Sequence, residues 1–109
     1  GLMFGFGKKS VDVRTAHRMA EEDGYTIVDV RTKPERKEGH PPGSIHVSLE
    51  SLDKRTAALE GKRVLAICRS GNRSGTAARF LNAQGIETMN VKGGMLAWSR
   101  AGLPTKKGT

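Results

Sequence analysis

The run Arg63-Val64-Leu65-Ala66-Ile67-Cys68-Arg69-Ser70-Gly71-Asn72-Arg73-Ser74 decides how this chain folds. Its first half, Arg63 to Cys68, is an apolar, β-branched stretch with the composition of a buried strand. Its second half, Ser70 to Gly75, gathers Gly, Ser and Asn into a turn. From Ser74 to Gln84 the pattern becomes helical, with Ala77, Ala78 and Leu81 facing inward and Gly85 as the stop. A strand, a turn and a helix in direct succession point to an α/β layered domain.

The rest of the chain repeats that alternation. Ser10 to Val13 starts a strand. Thr15 caps a helix that runs to about Glu22 and stops at Asp23-Gly24. Tyr25 to Val30 is a second buried strand, and Thr32 to Gly43 reads as a charged loop with Pro and Gly. Ser44 to Ser48 is a short strand, and Ser51 to Leu59 suits a helix closed by Gly61. Thr88 to Val91 is the last strand; a helix from Met95 to Arg100 follows Gly93-Gly94 and ends at Gly102 and Pro104. Strands alternating with helices predict a mostly parallel central sheet flanked by helices on both faces. The expected domain covers residues 10–105. Residues 1–9 read as a flexible N-terminal segment or an appended remnant, and 106–109 as a disordered tail.

Composition narrows the classes. A chain of 109 residues with 36% hydrophobic and 28% charged residues supports one modest core. No apolar run approaches the ~18–20 residues of a spanning helix, so no membrane partner is expected. One cysteine permits no intrachain disulfide and no multi-Cys zinc site. His17, His40 and His46 share no ligand spacing, so neither metal nor cofactor is expected. No export signal is legible in residues 1–9, and the expected location is cytoplasmic. The net charge is +8, unevenly placed: residues 1–54 hold 9 basic and 9 acidic side chains, residues 55–109 hold 10 and 2. The second half therefore attracts anions. Its aromatics, Phe80 and Trp98, are not interleaved with the basic residues as a base-stacking surface requires, so nucleic acid is not an expected partner.

Ligands of such sheets bind beyond the carboxyl ends of the strands, where Cys68 sits. Small residues let Arg69-Ser70-Gly71-Asn72-Arg73-Ser74 curl so that successive N–H groups point inward. The following helix adds its N-terminal N–H groups and positive dipole end. With Arg69 and Arg73 alongside, each element favours thiolate over thiol, which makes Cys68 a candidate nucleophile and the loop a candidate anion cradle. The competing reading is an inert, packed cysteine.

Cys68-Arg69-Ser70-Gly71-Asn72-Arg73-Ser74 resembles the active-site loop of the rhodanese family of sulfurtransferases. Val28-Asp29-Val30-Arg31 is similar to the family's Asp-x-Arg strand end, Gly39-His40-Pro41-Pro42-Gly43-Ser44 to its Gly-His-x-Pro-Gly-Ala segment, and Val91-Lys92-Gly93-Gly94 with Trp98 to its closing Gly-Gly-x-x-x-Trp segment. The match spans about residues 10–104. Two positions depart from the pattern: Arg36 and Lys37 follow Glu35 where an aromatic is usual, and Pro41 follows His40.

The resemblance implies a rhodanese-like fold and a chemistry. The thiolate of Cys68 takes the outer sulfur of an anionic donor such as thiosulfate, and a thiol or cyanide acceptor removes it. Ser70, Gly71, Asn72 and Ser74 would hold the charged sulfur, and Arg69 and Arg73 would draw in the donor. It also implies that Arg31 pairs with Glu35 or Glu38 as structural support; read from their positions, Asp29 and Arg31 at a strand end and His40 before Pro41-Pro42-Gly43 are expected to support the site rather than react. The loop is Cys-x4-Arg, one residue shorter than the Cys-x5-Arg that wraps a phosphate in cysteine phosphatases, which favours sulfur over phosphorus chemistry. Two alternatives stand: a persulfide carrier serving a dedicated protein, and a noncatalytic module whose basic half docks an acidic partner.

Overall fold

A computed structural model describes residues 9–109 of the chain. Five parallel strands form one sheet in the order β1-β5-β4-β2-β3. They are β1 (Ser10–Val11), β2 (Tyr25–Asp29), β3 (Ile45–His46), β4 (Arg63–Ile67) and β5 (Thr88–Val91). The helices are α1 (Val13–Glu22), α2 (Lys33–Glu38), α3 (Asn72–Ala83) and α4 (Gly94–Arg100). The expected α/β architecture, a parallel sheet covered on both faces, is what the chain adopts.

The central strand β4 sorts the core by alternation. Val64, Ala66 and Cys68 join one apolar layer with Ala77 and Leu81 of α3. Leu65 and Ile67 join the opposite layer with Ala16 of α1 and Met95 and Trp98 of α4. Each fully buried large side chain, such as Leu65, Ile67, Leu81 or Trp98, contributes about 1.5–3 kcal/mol of apolar burial. Because every pairing is parallel, the carboxyl ends of β2, β4 and β5 share one edge of the sheet, and that is where the Cys68 loop emerges.

Several local expectations are corrected. Helix α1 starts earlier, because Asp12 rather than Thr15 is its cap: the Asp12 carboxylate accepts the Thr15 N–H at 2.8 Å. The segment read as a loop after Thr32 contains α2, which a reciprocal capping box between Thr32 and Glu35 and a Pro in the first turn start. The helix expected over Ser51 to Leu59 is two 3-10 turns, Leu49–Lys54 and Thr56–Leu59. Helix α3 begins at Asn72, two residues before Ser74, because Gly71 takes a left-handed conformation and turns the chain. The expectation for residues 1–9 lies outside the described residues, apart from Lys9. The tail expected to be disordered is instead bonded to the body. Lys106 and His40 exchange backbone hydrogen bonds at 2.8 and 2.9 Å, and the Gly108 N–H donates to the Lys37 carbonyl. Among the described residues no helix is long and apolar enough to cross a membrane.

Candidate active site

Cys68 is the first residue beyond β4, and its side chain points toward α3. It is 1% exposed, yet its sulfur is not a purely packed group. Gly71 has φ of +113°, a conformation that disfavours any Cβ, and in it the Gly71 N–H donates to Sγ at 3.1 Å. Ser74, buried in the first turn of α3, directs its hydroxyl at Sγ from 3.2 Å. Burial pushes the thiol up, but hydrogen bonds from the Ser74 hydroxyl and from the Ser74, Gly71 and Ser70 N–H groups outweigh it. The net effect holds Cys68 below its ordinary value of 9.0.

The loop is held from behind by α4. Met95 N–H donates to the Cys68 carbonyl at 2.8 Å and Leu96 N–H to the Arg69 carbonyl at 3.1 Å. That approach explains Gly93-Gly94: a Cβ on Gly94, where φ is +55°, would run into both carbonyls. The first N–H groups of α4 and the carbonyls of the Cys68 loop therefore satisfy each other.

The rim differs from expectation in two ways. Arg73 does not face the sulfur as a free cation; its guanidinium grips Glu35 with two bonds of 2.8 Å. Arg73 in turn holds the Glu35 carboxyl at about 2, well below 4.5. Arg31 pairs with neither Glu35 nor Glu38. It forks onto Asp29 at 2.8 and 2.9 Å and donates to the Gly39 carbonyl at 2.7 Å. Chain geometry decides this, since Asp29 and Arg31 leave β2 two residues apart and both are buried. Arg36, one of the residues where an aromatic was expected, is also buried. It bonds Ser44 at 3.1 and 2.8 Å and lies 3.5 Å from Asp29, so one carboxylate anchors two guanidinium groups. His40 is 2% exposed, with Nδ1 against the Arg36 carbonyl at 2.9 Å. Asp29, Arg31 and His40 thus brace α2, the helix that carries Glu35.

Arg69 has no ion-pair partner among the described residues. It lines a cleft of about 250 Å³ together with Glu35, Met95 and the exposed Leu96. Ser70 and Asn72 are exposed along the loop. One neighbour of the sulfur escaped sequence reasoning. Asn90 of β5 bonds the Gly71 carbonyl through Nδ2 at 3.1 Å and meets Ser74 Oγ at 2.5 Å through Oδ1. Its signal was the alternation of β5, which puts the polar Thr88 and Asn90 on the α3 side and Met89 and Val91 on the other.

Known proteins are similar to this chain in sequence and in fold. The Rhodanese-like domain family model matches residues 12–101. A sulfurtransferase of Allochromatium vinosum is 34% identical over 91 residues, 82% of this chain and 85% of that protein. The thiosulfate sulfurtransferase GlpE of Actinobacillus pleuropneumoniae serotype 3 is 33% identical over 91 residues, 82% of this chain and 84% of that protein. A crystal structure of a rhodanese-related protein from Thermoplasma volcanium superposes with a TM-score of 0.84 at 30% identity, covering 90% of this chain and 97% of that one. With the family model matching residues 12–101 and relatives above 30% identical along most of their own length, the chain belongs to the rhodanese-like family, which includes single-domain sulfurtransferases.

Proposed function

We propose that this protein is a sulfurtransferase that carries sulfane sulfur as a persulfide on Cys68. The observation that carries the reading is the set of donors around Sγ: Gly71 N–H at 3.1 Å and the Ser74 hydroxyl at 3.2 Å, with the Ser70 and Ser74 N–H groups beside them. They favour the anionic sulfur before reaction and the anionic persulfide after it. In the first step the Cys68 thiolate attacks the outer sulfur of thiosulfate. A bond forms between the two sulfurs, the bond to the sulfonate breaks, and sulfite leaves with the electron pair. In the second step a thiophile, cyanide or a thiol, attacks the terminal sulfur and the Cys68 thiolate departs. These 109 residues hold one cysteine, so no second cysteine among them takes the sulfur and the acceptor comes from outside them.

Arg69, which has no ion-pair partner among the described residues, would draw in the donor, because Arg73 is committed to Glu35. Turnover tests the reading. The wild-type protein, given thiosulfate and cyanide, forms thiocyanate catalytically, and Cys68→Ser does not. Equal rates in both would exclude Cys68 as the sulfur-bearing residue. A single stoichiometric transfer without turnover would favour a carrier that serves a protein partner.

A further inference from the structure

Ser74 Oγ carries one hydrogen and faces two acceptors. Sγ of Cys68 lies 3.2 Å away and Oδ1 of Asn90 lies 2.5 Å away. The orientation of the Asn90 amide is fixed, because Nδ2 donates to the Gly71 carbonyl at 3.1 Å; a flipped amide would set oxygen against oxygen. Ser74 is 0% exposed, so bulk water does not supply its hydroxyl with a third choice.

We infer that Asn90 is a positioning residue of the sulfur site, competing with Cys68 for the Ser74 hydroxyl hydrogen and releasing it when the sulfur becomes anionic. While the sulfur is a neutral thiol, the hydroxyl rests on Oδ1 and the S–H can point at the Ser74 oxygen. Once the thiol proton is lost, the charged sulfur is the stronger acceptor, since hydrogen bonds to ionised groups are roughly twice as strong as neutral ones. The hydroxyl then turns to Sγ. Through Nδ2 the same side chain also steadies the Gly71 peptide, whose N–H is the sulfur's other close donor. This inference rests on Cys68 being the reacting thiol and says how its donors are switched.

The test is a double-mutant cycle read by alkylation of the full chain with iodoacetamide across pH. It compares wild type, Asn90→Ala, Ser74→Ala and the double variant, each checked for folding by circular dichroism. Removing the competing acceptor favours the thiolate only through the Ser74 hydroxyl. The rate ratio of Asn90→Ala to its parent, taken below the thiol pKa, is therefore expected to be roughly three- to tenfold higher with Ser74 present than in the Ser74→Ala background. Asn90→Asp keeps an acceptor and makes it anionic, so its coupling to Ser74 has the opposite sign. It also serves if Asn90→Ala does not fold. Equal ratios in both backgrounds, or couplings of one sign for both substitutions, would overturn the inference. Alkylation needs no sulfur donor, so failure of this cycle and failure of the sulfurtransferase reading are separate results.

Discussion

What separates Cys68 from an inert core thiol is the donor set at Sγ, and that set predicts which substitutions matter. Ser74→Ala removes one donor to an anionic acceptor and should slow alkylation near neutral pH about tenfold. Arg73→Ala should change it far less, because the guanidinium is held by Glu35 and the thiol is lowered by hydrogen bonds. Iodoacetamide rates against pH for the two variants decide between them; a larger effect at Arg73 would return the tuning role to the cation. Cys68 and its loop stood out in the sequence because a buried strand that runs straight into Ser, Gly and Asn leaves the sheet through a tight turn, in which Gly71 can take a positive φ. The fate of Arg73 was not, because its partner lies on a helix 38 residues earlier and only the fold brings them together. Asn90 was marked only by the alternation of β5, which puts Thr88 and Asn90 on one face but does not show, without the fold, that this face meets α3.

At the scale of elements, α2 and α4 are the two pieces that clamp the Cys68 loop, one by charge and one by backbone. Glu35 illustrates the first. Its folded value of about 2 lies below 4.5, so its contribution to stability is present above pH 4.5 and is lost as pH falls toward 2. Glu35→Gln should flatten that part of the acid limb in urea unfolding midpoints measured at successive pH values. An unchanged limb would mean that other carboxylates set it. Gly94 illustrates the second. Gly94→Ala places a Cβ against the Cys68 and Arg69 carbonyls at a positive φ, and should cost more than ~1 kcal/mol and slow Cys68 alkylation together. A variant with a native melting temperature and native reactivity would show that α4 does not hold the loop. The Gly93-Gly94 pair was visible in the sequence, but its reason, carbonyls approaching from another segment, was not. Helix α2 was missed because six residues, mostly charged, show no apolar period; only Thr32-x-x-Glu35 and Pro34 marked it.

For the whole molecule, the parallel sheet covered on both faces follows from buried strands alternating with helices along the chain, whereas the strand order β1-β5-β4-β2-β3 is set by packing that the alternation does not specify. The tail was misread because residues 106–109 are polar, and polarity alone does not show that His40 offers them a backbone edge. The charge of +8, concentrated after residue 54, should act on the donor as a field. The second-order rate of reaction with thiosulfate, an anion, is expected to fall as salt is raised, while the rate with a neutral alkylating agent stays nearly level. Parallel salt dependence for both reagents would remove steering from the account. The most direct test of the central claim is intact mass after brief exposure to thiosulfate, followed by cyanide. Wild type should gain about 32 Da, one sulfur atom, and lose it again on adding cyanide, with Cys68→Ser unchanged throughout. A wild-type mass that never moves, or a gain that persists in Cys68→Ser, would contradict it.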